Sequence, residues 1–445
     1  MKLNLAQDYV LNQLKSLGAK DIVETSNSGE SFQNKFANNE VVANKNWDTS
    51  NLSIFLSVGD EGNSKTGSTN ISYSDQTAID AQLKRLIKFT KNTAKNKNFL
   101  GLPSENFKYR EVRGIYDPEI KSLGKNSISI LRDAIDLANQ KGAERTGGTL
   151  THNYGTTRIV TSTDIDESYN YSNILLSLRA LTSDSSAHKV CVSTNMKEFK
   201  YRPKVIQAAN EAKLASYPER IKSGKYDIMF QPMAFSNLVS EVGKATIAES
   251  VENGLSFYTN KLNKQVTSEK FSLFDVGNLA RGLGSRPLDS EGRPTKATEL
   301  ISSGDLKTYL NNSSSAKRFK LQPTANAGIL YSKPSNLVVP IGRKSDEKLL
   351  AGLEDGLIIT NSWYHRYQNY IKGSFSALPR DAIFVVKGGK IIGSAKDIRI
   401  SGDMINIMKN VDELSNKKER IVNWESDIPS EVPSARINNI KVTSV

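Results

Sequence analysis

The chain has 445 residues, a formal net charge of +13, one cysteine and three histidines. A lone Cys191 excludes an internal disulfide and any zinc site built on paired cysteines, and no stretch approaches the roughly 18 apolar residues of a membrane span. At roughly 100–200 residues per domain the length predicts two or three domains, and the excess of Lys and Arg favours anionic partners: nucleic acid, acidic peptides or an acidic subunit.

Ala6, Val10, Leu14 and Leu17 lie on one face of a helix over 5–17 that Gly18 stops, a pattern unlike the apolar core of a secretory leader. The expectation is a soluble, cytoplasmic protein. The next stretch, "KDIVETSNSGESFQNKFANNEVVANKNWDTSNLSIFLSVGD", alternates apolar and polar residues around Asn-Asn and Gly-Asp steps and predicts a small meander of strands. Ile79, Leu83, Leu86 and Ile87 mark a second helix. Within "KRLIKFTKNTAKNKN" that helix would carry Lys84, Lys88, Lys91 and Lys95 as one basic stripe. A solvated helix face is the preferred reading of the stripe, because no stacking aromatics or reading helix accompany it.

Residues 100–118 read as a connection. A helix with Leu131, Ala134, Ile135 and Ala138 on its buried side follows, then β-rich sequence to about Leu181, then a helix with Val205, Ala208, Ala209 and Ala212 inward. From Gly224 the character changes to short β segments, apart from a helix around Phe235 to Glu252. "AIFVVKGGKIIGSA" is the clearest hairpin, with Gly388-Gly389 at its turn. The whole reads as an α+β protein. An N-terminal α/β region of helices with small sheets, divided as 1–100 and 101–223, precedes a large β-rich, barrel-like domain over 224–445.

Familiar catalytic templates miss. "GNSKTGST" at 62–69 has Ser68 where a phosphate-binding loop needs lysine, so a plain turn is expected. His188 and Cys191 are three apart and would face opposite sides of a strand, which makes Cys191 a core residue. His152, His188 and His365 carry no metal-ligand spacing.

The segment "GSRPLDSEGRPTKATELISSG" at 284–304 concentrates charge: Arg286, Asp289, Glu291 and Arg293. Carboxylates two apart converge only in a tight turn. Three readings stand: a structural turn, a contact to substrate in a channel, or an acid/base pair, with the first preferred and the last least favoured.

The order of these blocks resembles the TldD/PmbA family over essentially the whole chain. The most specific part is the C-terminal run "GKYDIMFQPMAFSNLV", "GLSFYTNKLNKQV", "GLGSRPLDSEGRPTKATELISSGDLKTYL", "KGSFS" and "IRISGDMINIMKNV". The resemblance implies two branches. TldD-like members carry His-Glu-x-x-x-His on the first helix of the C-terminal domain and a cysteine ligand near the C-terminus. TldE-like members, also called PmbA, lack these and act as the partner subunit.

Here the corresponding helix reads Val239-Ser240-Glu241-Val242-Gly243-Lys244, with no histidine between Ala234 and Phe257 and no cysteine near the C-terminus. The resemblance therefore implies a non-catalytic, TldE-like subunit of a cytoplasmic zinc metallopeptidase, without metal of its own. Zinc is expected in a TldD-like partner, with peptide or unfolded substrates. Arg286, Asp289, Glu291 and Arg293 are the substrate-channel candidates, and a homodimer is the alternative assembly of the isolated chain. The competing function is a basic, nucleic-acid-associated factor of the gyrase-modulator kind, which the missing aromatics disfavour.

Overall fold

The structure, a computed structural model, describes residues 3–60, 62–72 and 75–444. Its N-terminal half runs α1 (Leu3–Ser16), β1 (Ile22–Ala37), β2 (Glu40–Val58), β3 (Lys65–Ser72), α2 (Gln76–Asn92), α3 (Pro118–Leu123), α4 (Ser127–Gln140), β4 (Arg145–Thr161), β5 (Asp166–Leu181), β6 (Ser186–Ser193) and α5 (Tyr201–Leu214). All six strands form one antiparallel sheet in the order β3-β2-β1-β4-β5-β6. The sheet thus joins strands from both sides of residue 100, and its four longest strands run 16 to 19 residues. The expected meander is part of something larger.

Local chemistry explains the turns. Asn38 and Asn39 both take positive φ, 50° and 67°, the geometry a two-residue hairpin between β1 and β2 requires. The expected helix stripes are buried: Val10 and Leu14 from α1 and Ile79, Leu83, Leu86 and Ile87 from α2 cover Leu52, Ile54 and Leu56 of β2. At the other end of the sheet α4 and α5 bury Leu131, Ala134, Ile135, Val205, Ala208 and Ala212 against β4 to β6, with Cys191 in the same core. The basic stripe is shorter than expected. Helix α2 stops at Asn92, where the Thr93 N–H turns back to Thr90 O, so Lys95 lies beyond it and its ammonium bonds Asn63 instead. Lys65 to Thr69, inside the phosphate-loop look-alike, belong to strand β3.

The C-terminal half contains β7 (Gly224–Phe230), α6 (Pro232–Ala245), α7 (Ala248–Glu252), β8 (Leu273–Val276), β9 (Ala297–Ser302), β10 (Asp305–Leu306), α8 (Ser313–Phe319), β11 (Leu337–Val338), α9 (Asp346–Ala351), β12 (Asp355–Asn369), β13 (Ser374–Lys387), β14 (Lys390–Ser394), β15 (Ile398–Asp403), α10 (Met404–Lys409), β16 (Val411–Ile421) and β17 (Ser430–Ser444). They make an eleven-stranded mixed sheet. Its pairings run β7-β12-β13-β15-β17 and return to β7, while β8 to β11, β14 and β16 branch away. The fold is α+β as expected, with a branched sheet rather than a simple barrel. The predicted 235–252 helix is two helices, because Ile247 turns extended (φ −70°, ψ 122°) between α6 and α7.

Helix α6 packs against β7, β12 and β17 and is apolar nearly all round, as a helix inside a core must be. Of its residues from Ser236 to Ala245, only Glu241 and Lys244 are not buried. The charged groups of α6 are confined to those two positions, while Ser236, Asn237 and Ser240 turn their polar groups into the core.

Candidate functional site

The charged segment lies in the excursion between β8 and β9. Its centre is a tight turn in which Asp289 N donates to Arg293 O (2.9 Å) and Gly292 N donates to Asp289 O (3.0 Å). Gly292 has φ 87°, and a Cβ there would sit 2.3 Å from Ile165 Cδ1, so both conformation and space require glycine. The turn rests on the second face of the six-stranded sheet. Leu288 packs with Val23, Phe55, Ile159 and Ile165, and Tyr109 donates to Gly292 O at 2.7 Å.

Asp289 is fully buried and accepts three backbone N–H bonds: from Glu291 (3.0 Å) and Arg293 (2.9 Å) at Oδ1, and from Ala327 (3.0 Å) at Oδ2. Burial raises its pKa against the pull of those amides and of the Arg286 guanidinium. Glu291 accepts from Ser313 N (2.9 Å), the first residue of α8. Its pKa is also raised, by burial first and by the charge of Asp289 second. The two carboxylates feel each other but hold different donors.

The arginines point elsewhere. Arg293 donates to Ser313 Oγ (3.0 Å) and Glu105 Oε1 (2.8 Å) and lies 5.2 Å over the Phe107 ring, tying the turn to the 100–118 connection. Arg286 has Nε and Nη2 buried without a hydrogen-bond partner, in the field of Asp289 and of the buried Asp275.

Asp275 is a residue that sequence reasoning missed. It accepts from Ser335 N and Asn326 Nδ2, both at 2.6 Å, and burial pushes it up to about 6. The four predicted residues therefore share one turn without sharing one surface. Glu291 faces a cleft of about 220 Å³ between the two halves of the molecule, with Phe55, Phe99, Glu249, Asn312 and Tyr331 among its walls. Arg293 faces a different cleft, beside Glu105 and Lys317.

The histidines are separately enclosed. His152 stacks on Phe32 at 4.6 Å. His188 Nε2 meets Ser177 Oγ at 2.8 Å, and burial lowers its pKa to about 4. His188 pairs across to Arg179 on β5, whereas Cys191 pairs with Leu176, and burial pushes the thiol up to about 12. Cys191 is a core thiol, as expected from its neighbours. Among the described residues no three of His, Cys, Asp and Glu are grouped to hold a metal ion.

Residues 223–444, half of the chain, match the family described as the PmbA/TldA metallopeptidase C-terminal domain. The chain belongs to the TldD/PmbA family. It is 30% identical over 207 residues to a "Metalloprotease PmbA homolog" of Buchnera aphidicola, a match covering 45% of each chain, and 24% identical over 241 residues to a "Metalloprotease TldD homolog" of the same organism, covering 52% of this chain and 47% of that one. These matches span about half the length of those relatives. The crystal structure of TldE from Thermococcus kodakarensis shares the fold, with TM-score 0.85 over 99% of this chain and 100% of that chain at 16% identity.

The metal expected of a metallopeptidase in this family can be tested against α6. Val239 and Ser240 are fully buried, and the Ser240 hydroxyl has no partner. Lys244 Nζ lies 3.1 Å from Glu241 Oε1 and 3.3 Å from Asp427 Oδ1. Burial pulls the lysine pKa down, but the two carboxylates outweigh it and hold the ammonium above its ordinary value. Close by, His365 Nε2 meets Ser362 Oγ at 2.9 Å, and burial together with the Lys244 charge lowers its pKa to about 4. An alkyl group, a hydroxyl and a charged ammonium are not a zinc donor set. The residues of α6 do not fit the ion.

Proposed function

We propose that this chain is a TldE-like subunit of a two-component cytoplasmic metallopeptidase. In this reading it holds no metal and shapes peptide access to the zinc site of a TldD-like partner. One observation carries the reading: the helix on which the metal-binding branch carries its ligands presents buried Val239 and Ser240, and its Lys244 is engaged by Glu241 and Asp427.

Peptide hydrolysis needs an activated water and stabilisation of the developing oxyanion, which a Lewis-acid metal supplies. The three histidines are enclosed, two with pKa values lowered to about 4, and Cys191 is buried with its thiol pushed up to about 12, so none of these four is poised as the base or nucleophile such chemistry needs. Its contribution is positioning. The turn at 289–293 braces α8, the 100–118 connection and the six-stranded sheet around the cleft that Glu291 faces.

Mixing the purified chain with a TldD-like subunit from the same source should create chelator-sensitive peptidase activity that neither shows alone. Chelator-insensitive activity from this chain by itself would contradict the reading.

A further inference from the structure

Strand β13 is paired on one edge in two separate stretches. β15 pairs with Ser374 to Ala377, and β14 pairs with Phe384 to Lys387. Between them residues 378–382 have β12 on one side and no named strand on the other. A groove of about 820 Å³ opens at this gap, floored by Leu378, Pro379, Ile383 and Ala395 and bordered by the β5–β6 turn at 182–185.

The groove gathers basic residues from distant parts of the chain: Arg145, Arg220, Arg380, Lys396 and Arg399. Its carboxylates are already engaged. Asp381 is held by Arg179 Nε (2.7 Å), Ser186 Oγ (2.8 Å) and Asn361 Nδ2 (2.8 Å). Asp184 accepts the Tyr217 N–H at 2.8 Å, and Asp397 pairs with Arg220 at 3.7 Å. Arg380 lies 5.1 Å over Trp363, and Arg399 donates to Ser376 Oγ at 3.2 Å. Arg145, Arg380, Lys396 and Arg399 thus face one cavity without a carboxylate ion pair among the described residues.

Like charges gathered over an apolar floor repel one another until an anion neutralises them, and guanidinium forks bind carboxylates in pairs. The lining contains no aromatic ring for a base to stack on, and its floor is aliphatic. Those features favour carboxylates spaced along a chain that also bears aliphatic side chains.

We propose that this groove binds an acidic peptide segment in extended form, carboxylates on the basic rim and aliphatic side chains on the floor. The proposal deepens the peptide-handling reading above by naming a substrate class, and it is tested without the partner subunit. Loss of the two-component activity would therefore leave the binding result intact, and the reverse.

The probe is a fluorescein-labelled peptide of alternating Glu and Leu, titrated with the full chain and followed by anisotropy. The wild-type chain should bind it, and a Lys/Leu peptide of the same length should not bind. The double variant Arg145→Glu, Lys396→Glu changes two exposed side chains and should weaken binding by about tenfold or more, with an unchanged thermal melt. Equal binding by wild type and variant, or no binding by the folded wild-type chain at low salt, overturns the proposal. ATP or tripolyphosphate bound more tightly than the peptide, and released by the same double variant, would overturn it in favour of an oligophosphate site.

Discussion

The turn at 289–293 and helix α6 both place carboxylates in or beside the core of the same C-terminal half, and they do so by opposite means. In the turn, Asp289 is surrounded by backbone N–H groups, and Glu291 takes the first N–H of α8. On α6, Glu241 is met by an ammonium, Lys244, which also reaches Asp427. Fixed amide dipoles organise a fold around an anion. On α6 the partner is instead a side-chain ammonium shared between two carboxylates.

The comparison separates a carboxylate held by backbone amides from one held by a side-chain cation. A third carboxyl marks the limiting case: Glu24 on β1 is fully buried with neither oxygen hydrogen-bonded, and burial pushes it up to about 9.

Among single substitutions at one pH, the largest effect is expected at the turn. Asp289→Ala removes the acceptor of three buried amides and should destabilise the chain by about 3 kcal/mol or more, read as a fall in the denaturation midpoint. An effect under about 1 kcal/mol would deny the turn its structural role. Asp289→Asn keeps an acceptor at Oδ1 and should recover part of the loss.

Glu24 tests the opposite case through pH. Its folded pKa lies above that of the unfolded chain, so its contribution is complete below about 4.5 and is lost as pH rises towards about 9. Across that window the contribution should fall by up to about 1.4 kcal/mol per pH unit. Glu24→Gln should flatten this dependence, and an unchanged pH profile would contradict the neutral buried carboxyl.

Gly292→Ala comes next, at about 1–3 kcal/mol, because it adds left-handed strain and a contact with Ile165. The smallest effect belongs to Lys244→Met. The lysine is partly exposed and its pairs are screened, so stability should move by no more than about 1 kcal/mol. Removal of the lysine should not create zinc binding, since Val239 and Ser240 remain. Zinc retained by that variant through dialysis would mean that the lysine alone closes the site.

Much of this was legible where the signal is local. The stripes of α1, α2, α4 and α5, the Asn38-Asn39 and Gly388-Gly389 turns and the core position of Cys191 follow from periodicity and from positive-φ preferences. Pairing between distant strands was not legible. Phe32 of β1 lies opposite His152 of β4, and nothing near either residue announces it. The family's motif order located the Asp289 turn and the altered α6. Sequence spacing did not reveal that Arg286, Glu291 and Arg293 would turn to different surroundings, or that Asp275 would join them. The basic groove escaped notice for the same reason, since Arg145, Arg380, Lys396 and Arg399 meet only through tertiary contacts.

The central claim is that α6 of this chain holds no metal and that chemistry comes from a partner. Elemental analysis of the separately purified chain and of its complex with a TldD-like subunit, both dialysed and then assayed on one peptide, tests it most directly. The account predicts no stoichiometric zinc and no turnover for the chain alone, with zinc and activity appearing together in the complex. One zinc held by the isolated chain, with peptidase activity that chelation abolishes, would contradict it.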